Sequence, residues 1–462
     1  MSALEIMDAH LARIREWNPR VNALVGLLPD DACRDMAREA DARLARGDGA
    51  WPLAGLPIAF KDLHEAAGLV FTRGSAIYRD TIGITDSVLA ARLRAAGALP
   101  IAKTNVPEFG LGSHTFNPVW GPTRNPYDLT RSAGGSSGGA GAALATGMLP
   151  LADGSDLGGS LRNPANFNNV VALRPTVGLV PTAPDALPRL GFGVNGPMAR
   201  SADDVALLLD AMAGPDPRDP GCQMPKPAGL GAPLTGDIGP RCLVAWSPDL
   251  RGLPLEPAVR DVLNRQRATL VEMGCQVEDA CLDLTDADEI FLTIRRWRTA
   301  AVLGPLLPAH RHEMKQDLVE EIEAGERLTG ADLARAFTAH AVLLGRVTDF
   351  FAEFDALACA VNQVVPFDVN LTWPRTVDGV EMEHYIAWMK STYWITATFA
   401  PAVSVPAGFT AEGLPVGLQL VGRPWGDRQL LELAHRFEQA NNAGTHRPVI
   451  PLESLRDSRG RL

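Results

Sequence analysis

No stretch of the 462-residue chain approaches the roughly 18 consecutive apolar residues that a membrane-crossing helix needs, so no membrane partner is expected. The opening segment MSALEIMDAHLARIREWNP is amphipathic and begins acidic, which excludes a secretory leader with a basic start and an apolar centre. A basic surplus is also missing. Lys and Arg number 43 against 54 Asp and Glu, for a net charge of −11, which argues against nucleic acid or an anionic membrane surface. Cysteine is sparse and scattered, at positions 33, 222, 242, 275, 281 and 359, without a CxxC pair. That distribution reads as reduced thiols in a cytoplasmic protein, with neither a disulfide framework nor a zinc site. Internal repeats and low-complexity tracts are absent. At 46% hydrophobic and 21% charged residues, the chain can bury a large core as one big α/β domain or two smaller ones.

Helices and strands alternate along what remains. Apolar residues Ile6, Leu11, Ile14 and Trp17 recur at helical spacing and predict a helix ending at Asn18-Pro19, and 30–47 predicts a second one closed by glycine. LPIAF (56–60) predicts a short buried strand that delivers Lys61 and Asp62 at its end. SVLAARLRAAGALPIAKTNVPEF (87–109) reads helix, glycine stop, strand, then a turn at Pro107. SSGGAGAALATGM predicts a helix packed closely through small residues, followed by a strand at LPLADGSD, and RSADDVALLLDAMAG predicts a helix capped by Ser201. Residues 214–240 are Pro- and Gly-rich and read as a linker or long surface loop. A strand at CLVAWSP, helical material over 256–350, strands at 401–409 and 414–424 and a terminal helix complete the pattern. It implies a mixed or parallel sheet covered by helices on both faces.

The chemistry concentrates in two glycine- and serine-rich stretches, AGGSSGGAG at 133–141 and GSDLGGSLRNP at 154–164. A phosphate cradle would need GxxxxGK[ST] or an acidic residue placed for a dinucleotide ribose, and neither is present. Gly134-Gly135-Ser136-Ser137-Gly138 satisfies the G-x-S-x-G pattern of an esterase elbow. That reading needs a His, but His310, His312, His384 and His435 sit in uninformative contexts. A third reading uses both loops for acyl transfer, which needs a nucleophile, a proton acceptor and oxyanion donors. LGGS at 157–160 can converge several backbone N–H groups because glycine lacks the Cβ that would obstruct approach. Asp156 and Arg162 flank that turn as a clamp. A lysine serves as base only when neutral, hence buried, and Lys61 beside a buried strand is the candidate.

The stretches GLPIAFKDL, AKTNVPEF, WGPTRNPYD, AGGSSGGAGAALATGMLPLADGSDLGGSLRNPANF, GPMARSADDVALLLDAMAG, PAVSVP and GLPVGLQLVG run in order from about 55 to 424. In these the chain resembles the amidase signature family of serine hydrolases. The spacings agree, with 75 residues from Lys61 to Ser136 and 24 from Ser136 to Ser160. The resemblance implies one large amidase-signature-type α/β domain over 1–462. Its core motifs lie at 55–213, the connection at 214–240, a variable pocket region at about 283–395 and a C-terminal sheet and helix at 396–450.

It further implies Ser160 as nucleophile, Ser136 as bridging serine after a cis bond from Gly135, and Lys61 as base. Backbone N–H groups of Leu157, Gly158, Gly159 and Ser160 become the oxyanion donors, and no cofactor or metal is required. The expected reaction is hydrolysis of small amides, anilides or carbamates (urethanes). The transamidating component of a glutamine-dependent amidotransferase and an esterase built on Ser136 are the alternatives, and a homodimer is left open. Asn163 stands where amidotransferase subunits carry Gln, and Arg174 replaces the usual Lys. Tyr385, Trp388 and Tyr393 are expected to line the substrate pocket, Arg295, Arg296 and Arg298 to face solvent, and HRH (310–312) to form a solvated helix edge.

Overall fold

Short, mostly buried strands rich in apolar and small residues assemble into two sheets and a two-stranded ribbon. The computed structural model describes residues 1–49, 51–185, 187 and 191–449, so the expected boundaries at 450 and 462 lie outside the described residues. The small sheet has the order β1 (Leu24–Val25), β3 (Leu99–Thr104), β2 (Pro57–Lys61), with β2 parallel to β3. The large sheet follows the order β4, β6, β5, β12, β13, β9, β7, β8. Its strands are β4 (Leu151–Asp156), β5 (Val171–Arg174), β6 (Val194–Ala199), β7 (Leu243–Trp246), β8 (Gln276–Glu278), β9 (Ala356–Ala360), β12 (Ala402–Phe409) and β13 (Pro415–Gly422). A separate ribbon pairs β10 (Thr376–Val377) with β11 (Val380–Glu381).

The mixed sheet expected from the alternation is present, but only the β9–β7–β8 end is parallel. The remaining pairs are antiparallel, and between β12 and β13 Thr410 N–H donates to the Leu414 carbonyl as a hairpin enters the middle of the sheet.

Along the central strands alternate side chains enter two different cores. Val403, Val405, Leu418 and Leu420 pack with helices α6 (Ala202–Met212), α7 (Pro257–Glu272) and α13 (Asp427–Ala440). Ala402, Val421, Leu357 and Cys359 pack with α8 (Ala287–Leu303), α11 (Gly330–Glu353) and α12 (Lys390–Ala397). A third core joins the small sheet to α1 (Ala3–Val21), α2 (Asp30–Arg46) and α4 (Gly138–Ala145). The remaining helices are α3 (Val88–Ala95), α5 (Arg162–Phe167), α9 (Leu307–His310) and α10 (Gln316–Glu326).

Two sequence expectations shift. Helix α1 continues through Pro19 to Val21 because Trp17 and Val21 are both buried and Asn22, at φ 53°, closes the turn by donating to the Asn18 carbonyl. The 214–240 connection carries no helix or strand, yet it is pinned to the body by buried Cys222, Leu230 and Leu234. The small-residue helix α4 behaves as expected: a Cβ on Gly139 would come 2.3 Å from the Asn105 amide nitrogen.

Candidate active site

Strand β2 is apolar up to its last residue and wholly buried, so it carries the Lys61 amine into the protein between the small sheet and edge strand β4. Among the described residues the amine meets only hydroxyls and one carbonyl. Nζ lies 2.8 Å from Ser136 Oγ, 2.8 Å from Ser137 Oγ, 3.0 Å from Ser155 Oγ and 3.2 Å from the Ser155 carbonyl. Hydroxyls both donate and accept, so this cage suits an ammonium or a neutral amine. No carboxylate oxygen hydrogen-bonds Nζ among the described residues. Burial therefore dominates and lowers the Lys61 pKa from 10.5 to about 7, against an upward pull from Asp153 and Asp156. The neighbouring Asp62 turns away, accepting from Thr72 N at 3.1 Å and from the Thr72 hydroxyl.

Ser136 sits at the start of α4, after a cis bond from Gly135. The Gly135 carbonyl accepts the Ser113 hydroxyl, and Gly138 N–H donates to Thr115 Oγ1 at 3.1 Å. Ser113 Oγ in turn accepts from Asn163 Nδ2 at 2.8 Å, tying this turn to α5. The second serine loop lies alongside, with Ser137 N–H donating to the Ser160 carbonyl at 3.2 Å. Ser160 is 9% exposed, and its hydroxyl makes no hydrogen bond among the described residues. The structure thus closes the Lys61–Ser136 contact and leaves Ser160 beside it without a hydrogen bond to Ser136.

Asp156 organises the 157–161 turn. Its carboxylate accepts from Gly159 N at 2.8 Å, Leu161 N at 3.2 Å, Arg162 Nε at 3.0 Å and Arg162 Nη2 at 2.9 Å. Burial alone would raise this carboxyl, but Arg162, Arg174 and the Gly159 amide together hold it well below the usual carboxylate range. The Arg174 guanidinium, desolvated and beside a second cation, falls to about 10. The clamp corrects one sequence expectation: the Gly159 amide is committed to Asp156 and is not free for an oxyanion. The amides of Leu157, Gly158 and Ser160 make no hydrogen bond among the described residues. Gly159 is required here, since at φ +122° a Cβ would approach Thr392 Oγ1 to 2.4 Å.

The aromatic residues divide. Tyr385 and Trp388 line a narrow cleft with Ser113, His114, Lys315, Asp317 and Trp373. Tyr393 does not: its ring is fully buried, stacked on Phe291 at 4.6 Å, and its hydroxyl donates to Asp288 at 2.6 Å. It lies on the inward face of α12, behind Gly158, and the aromatic pattern could not tell the two faces apart. Arg295 is a second correction. It is buried, donating to Glu321 and to the Tyr385 hydroxyl, because α8 presents it to α10 rather than to solvent. His312 is exposed and His310 contacts Glu313 at 2.8 Å, as a solvated edge should.

Sequence reading missed the support under Lys61. Both Asp153 oxygens accept the Lys61 backbone N–H, at 3.2 and 3.3 Å, and His64 Nδ1 lies 2.6 Å from Asp153 Oδ2. The four histidines weighed from the sequence did not include His64. Its only signal was its place three residues after the lysine.

Similarity to known proteins extends along nearly the whole chain. Residues 5–431 match the Amidase family. The chain is 36% identical to an acylamidase of Rhodococcus erythropolis, over 98% of this chain and 95% of the relative. It is 33% identical to the A-type subunit of the glutamyl-tRNA(Gln) amidotransferase of Ralstonia nicotianae, over 97% and 96%. A bacterial aryl acylamidase structure of the amidase signature family superposes with a TM-score of 0.88 at 26% identity, covering 97% and 96% of the two chains. With a family match across most of its length and relatives above 30% identity, the chain belongs to the amidase family, whose enzymes act on carbon–nitrogen bonds.

Proposed function

We propose that the protein hydrolyses small amides, with anilides and aryl carbamates (urethanes) among its substrates, through an acyl-enzyme on Ser160. The observation that carries this reading is the buried Lys61 amine, 2.8 Å from Ser136 Oγ and without a carboxylate on it. Neutral Lys61 takes the Ser136 proton as Ser136 takes that of Ser160, and Ser160 Oγ attacks the carbonyl carbon. The free amides of Leu157, Gly158 and Ser160 receive the oxyanion, each such donor being worth about 3–4 kcal/mol. Ser136 then returns a proton to the leaving nitrogen, and water cleaves the ester. The Ser136–Ser160 link closes when substrate fills the site, as catalytic hydrogen bonds commonly do. Similarity to an acylamidase and an aryl acylamidase supports the acyl-amide and anilide classes.

A fluorophosphonate probe tests the nucleophile and a substrate panel tests the class. The expected adduct is on the Ser160 peptide, with nitroanilides and aryl carbamates turned over faster than glutamine. An adduct on Ser136 would move the protein to an esterase mechanism. Glutamine hydrolysed faster than every anilide and carbamate would return it to the amidotransferase reading.

A further inference from the structure

His64 is held by fixed partners on both ring nitrogens. Asn195 Nδ2 donates to the Pro181 carbonyl at 3.0 Å, so its Oδ1 is the atom facing His64 Nε2 at 3.0 Å, and Nε2 must carry a proton. On the other side Nδ1 faces Asp153 Oδ2 at 2.6 Å, and Asp153 is fully buried. Two oxygens therefore face two ring nitrogens, and one proton beyond the neutral ring must lie between Nδ1 and Asp153. We infer that Asp153 and His64 form a buried, net-neutral proton-holding pair beneath Lys61, with His64 as the imidazolium. The pair positions the lysine through its backbone N–H and offsets Asp153, one of the two carboxylates that favour a proton on the amine.

The surroundings leave the imidazolium as the closest compensating charge for Asp153. Just after β2, Asp62 is taken up by Thr72. From β3, Lys103 donates to the His64 carbonyl and answers to Asp62 first and Asp153 second. The loop after β2 adds Glu65, and α3 adds Arg94, both felt at Lys103. From β4, Asp156 is occupied by Arg162 and Arg174. Removing the imidazolium would leave Asp153 bare against the strand that carries Lys61, and an uncompensated charge that near moves a titration by about 1–3 pH units.

The inference rests on Lys61 as the base, and two measurements keep the questions separate. Nitrogen-15 NMR of histidine-labelled Ser160→Ala protein reads His64 without turnover, and both ring nitrogens should carry protons, one toward Asn195 and one toward Asp153. A neutral tautomer there overturns the pair. In the active enzyme, His64→Gln should move the acid limb of kcat/KM toward alkaline pH by about one unit, cutting kcat/KM at pH 7 several-fold. The Asp153→Asn/His64→Gln double variant should bring the limb back to the wild-type position or below, a rescue that a merely structural role would not give. An unmoved limb in His64→Gln, or a double variant more alkaline than the single one, refutes the inference. Full activity in Lys61→Arg would remove the base itself, and this inference with it, whatever the NMR result.

Discussion

Replacing Lys61 with Met gives the most quantitative test of the site's electrostatics. Met keeps most of the stem's volume and removes only the amine. The amine titrates near 10.5 in the unfolded chain and at about 7 in the fold. Those 3.5 units correspond to about 5 kcal/mol of preference for the neutral form. Because the folded pKa is depressed, the unfolded chain binds the extra proton between about pH 7 and 10.5, and wild-type stability rises with pH through that window. From pH 6 to pH 9 the gain is about 2.5 kcal/mol, absent in the Lys61→Met variant. The hydrogen bonds lost to Ser136, Ser137 and Ser155 also cost stability, but equally at both pH values. They cancel in the difference between differences. Urea unfolding of both proteins at pH 6 and pH 9 measures it: Lys61→Met should look about 2.5 kcal/mol more favourable, relative to wild type, at pH 6. Equal differences at the two pH values would mean that the buried amine keeps its proton, and the relay would lose its base.

The same depressed titration predicts that kcat/KM rises with pH through about 7 and that Lys61→Arg is nearly inactive, since a guanidinium cannot give up its proton; steady-state rates from pH 5.5 to 9.5 check both. Gly159→Ala should abolish turnover and lower thermal stability, because its Cβ would collide with Thr392 and Asn163. Arg162→Met should destabilise by about 3–5 kcal/mol in urea unfolding, leaving Asp156 buried without its main partner. Ser136→Ala should cost several orders of magnitude in kcat with little change in KM, because it interrupts proton transfer in both chemical steps.

Local signals gave most of the architecture. Glycine stops, capped helices and short apolar runs located the strands that bear Lys61 and Asp156 and the small-residue helix after Ser137. The sequence could not reveal that the late hairpin of β12 and β13 enters the middle of the sheet between β5 and β9, because the β12–β5 pairing joins residues more than 200 positions apart. At the site, the spacing of Lys61, Ser136 and Ser160 was legible through family resemblance. Which amide of LGGS is free was not, since it depends on where the Asp156 carboxylate points. Arg295 and Tyr393 were misplaced for one reason: helical periodicity marks a buried face only when polar and apolar residues separate, and α8 and α12 bury charge and hydroxyls. His64 was invisible because its partners Asp153 and Asn195 are 89 and 131 residues away.

The Arg162 guanidinium has a consequence for the protein's birth. Beyond Asp156 it donates to the Thr392 carbonyl at 2.9 Å, Thr396 Oγ1 at 2.8 Å and Gln419 Oε1 at 2.7 Å. Gln419 is made 257 residues after the arginine, about 13–50 s later at ordinary elongation rates. Before α12 and the hairpin are made, the emerging chain carries Lys61, Ser136 and Ser160 but lacks the partners of three of the five Arg162 hydrogen bonds. The 157–161 turn gains the full set of Arg162 partners only when α12 and the central hairpin arrive, so a ribosome-bound or prematurely terminated chain should carry Lys61, Ser136 and Ser160 without the support that holds that turn.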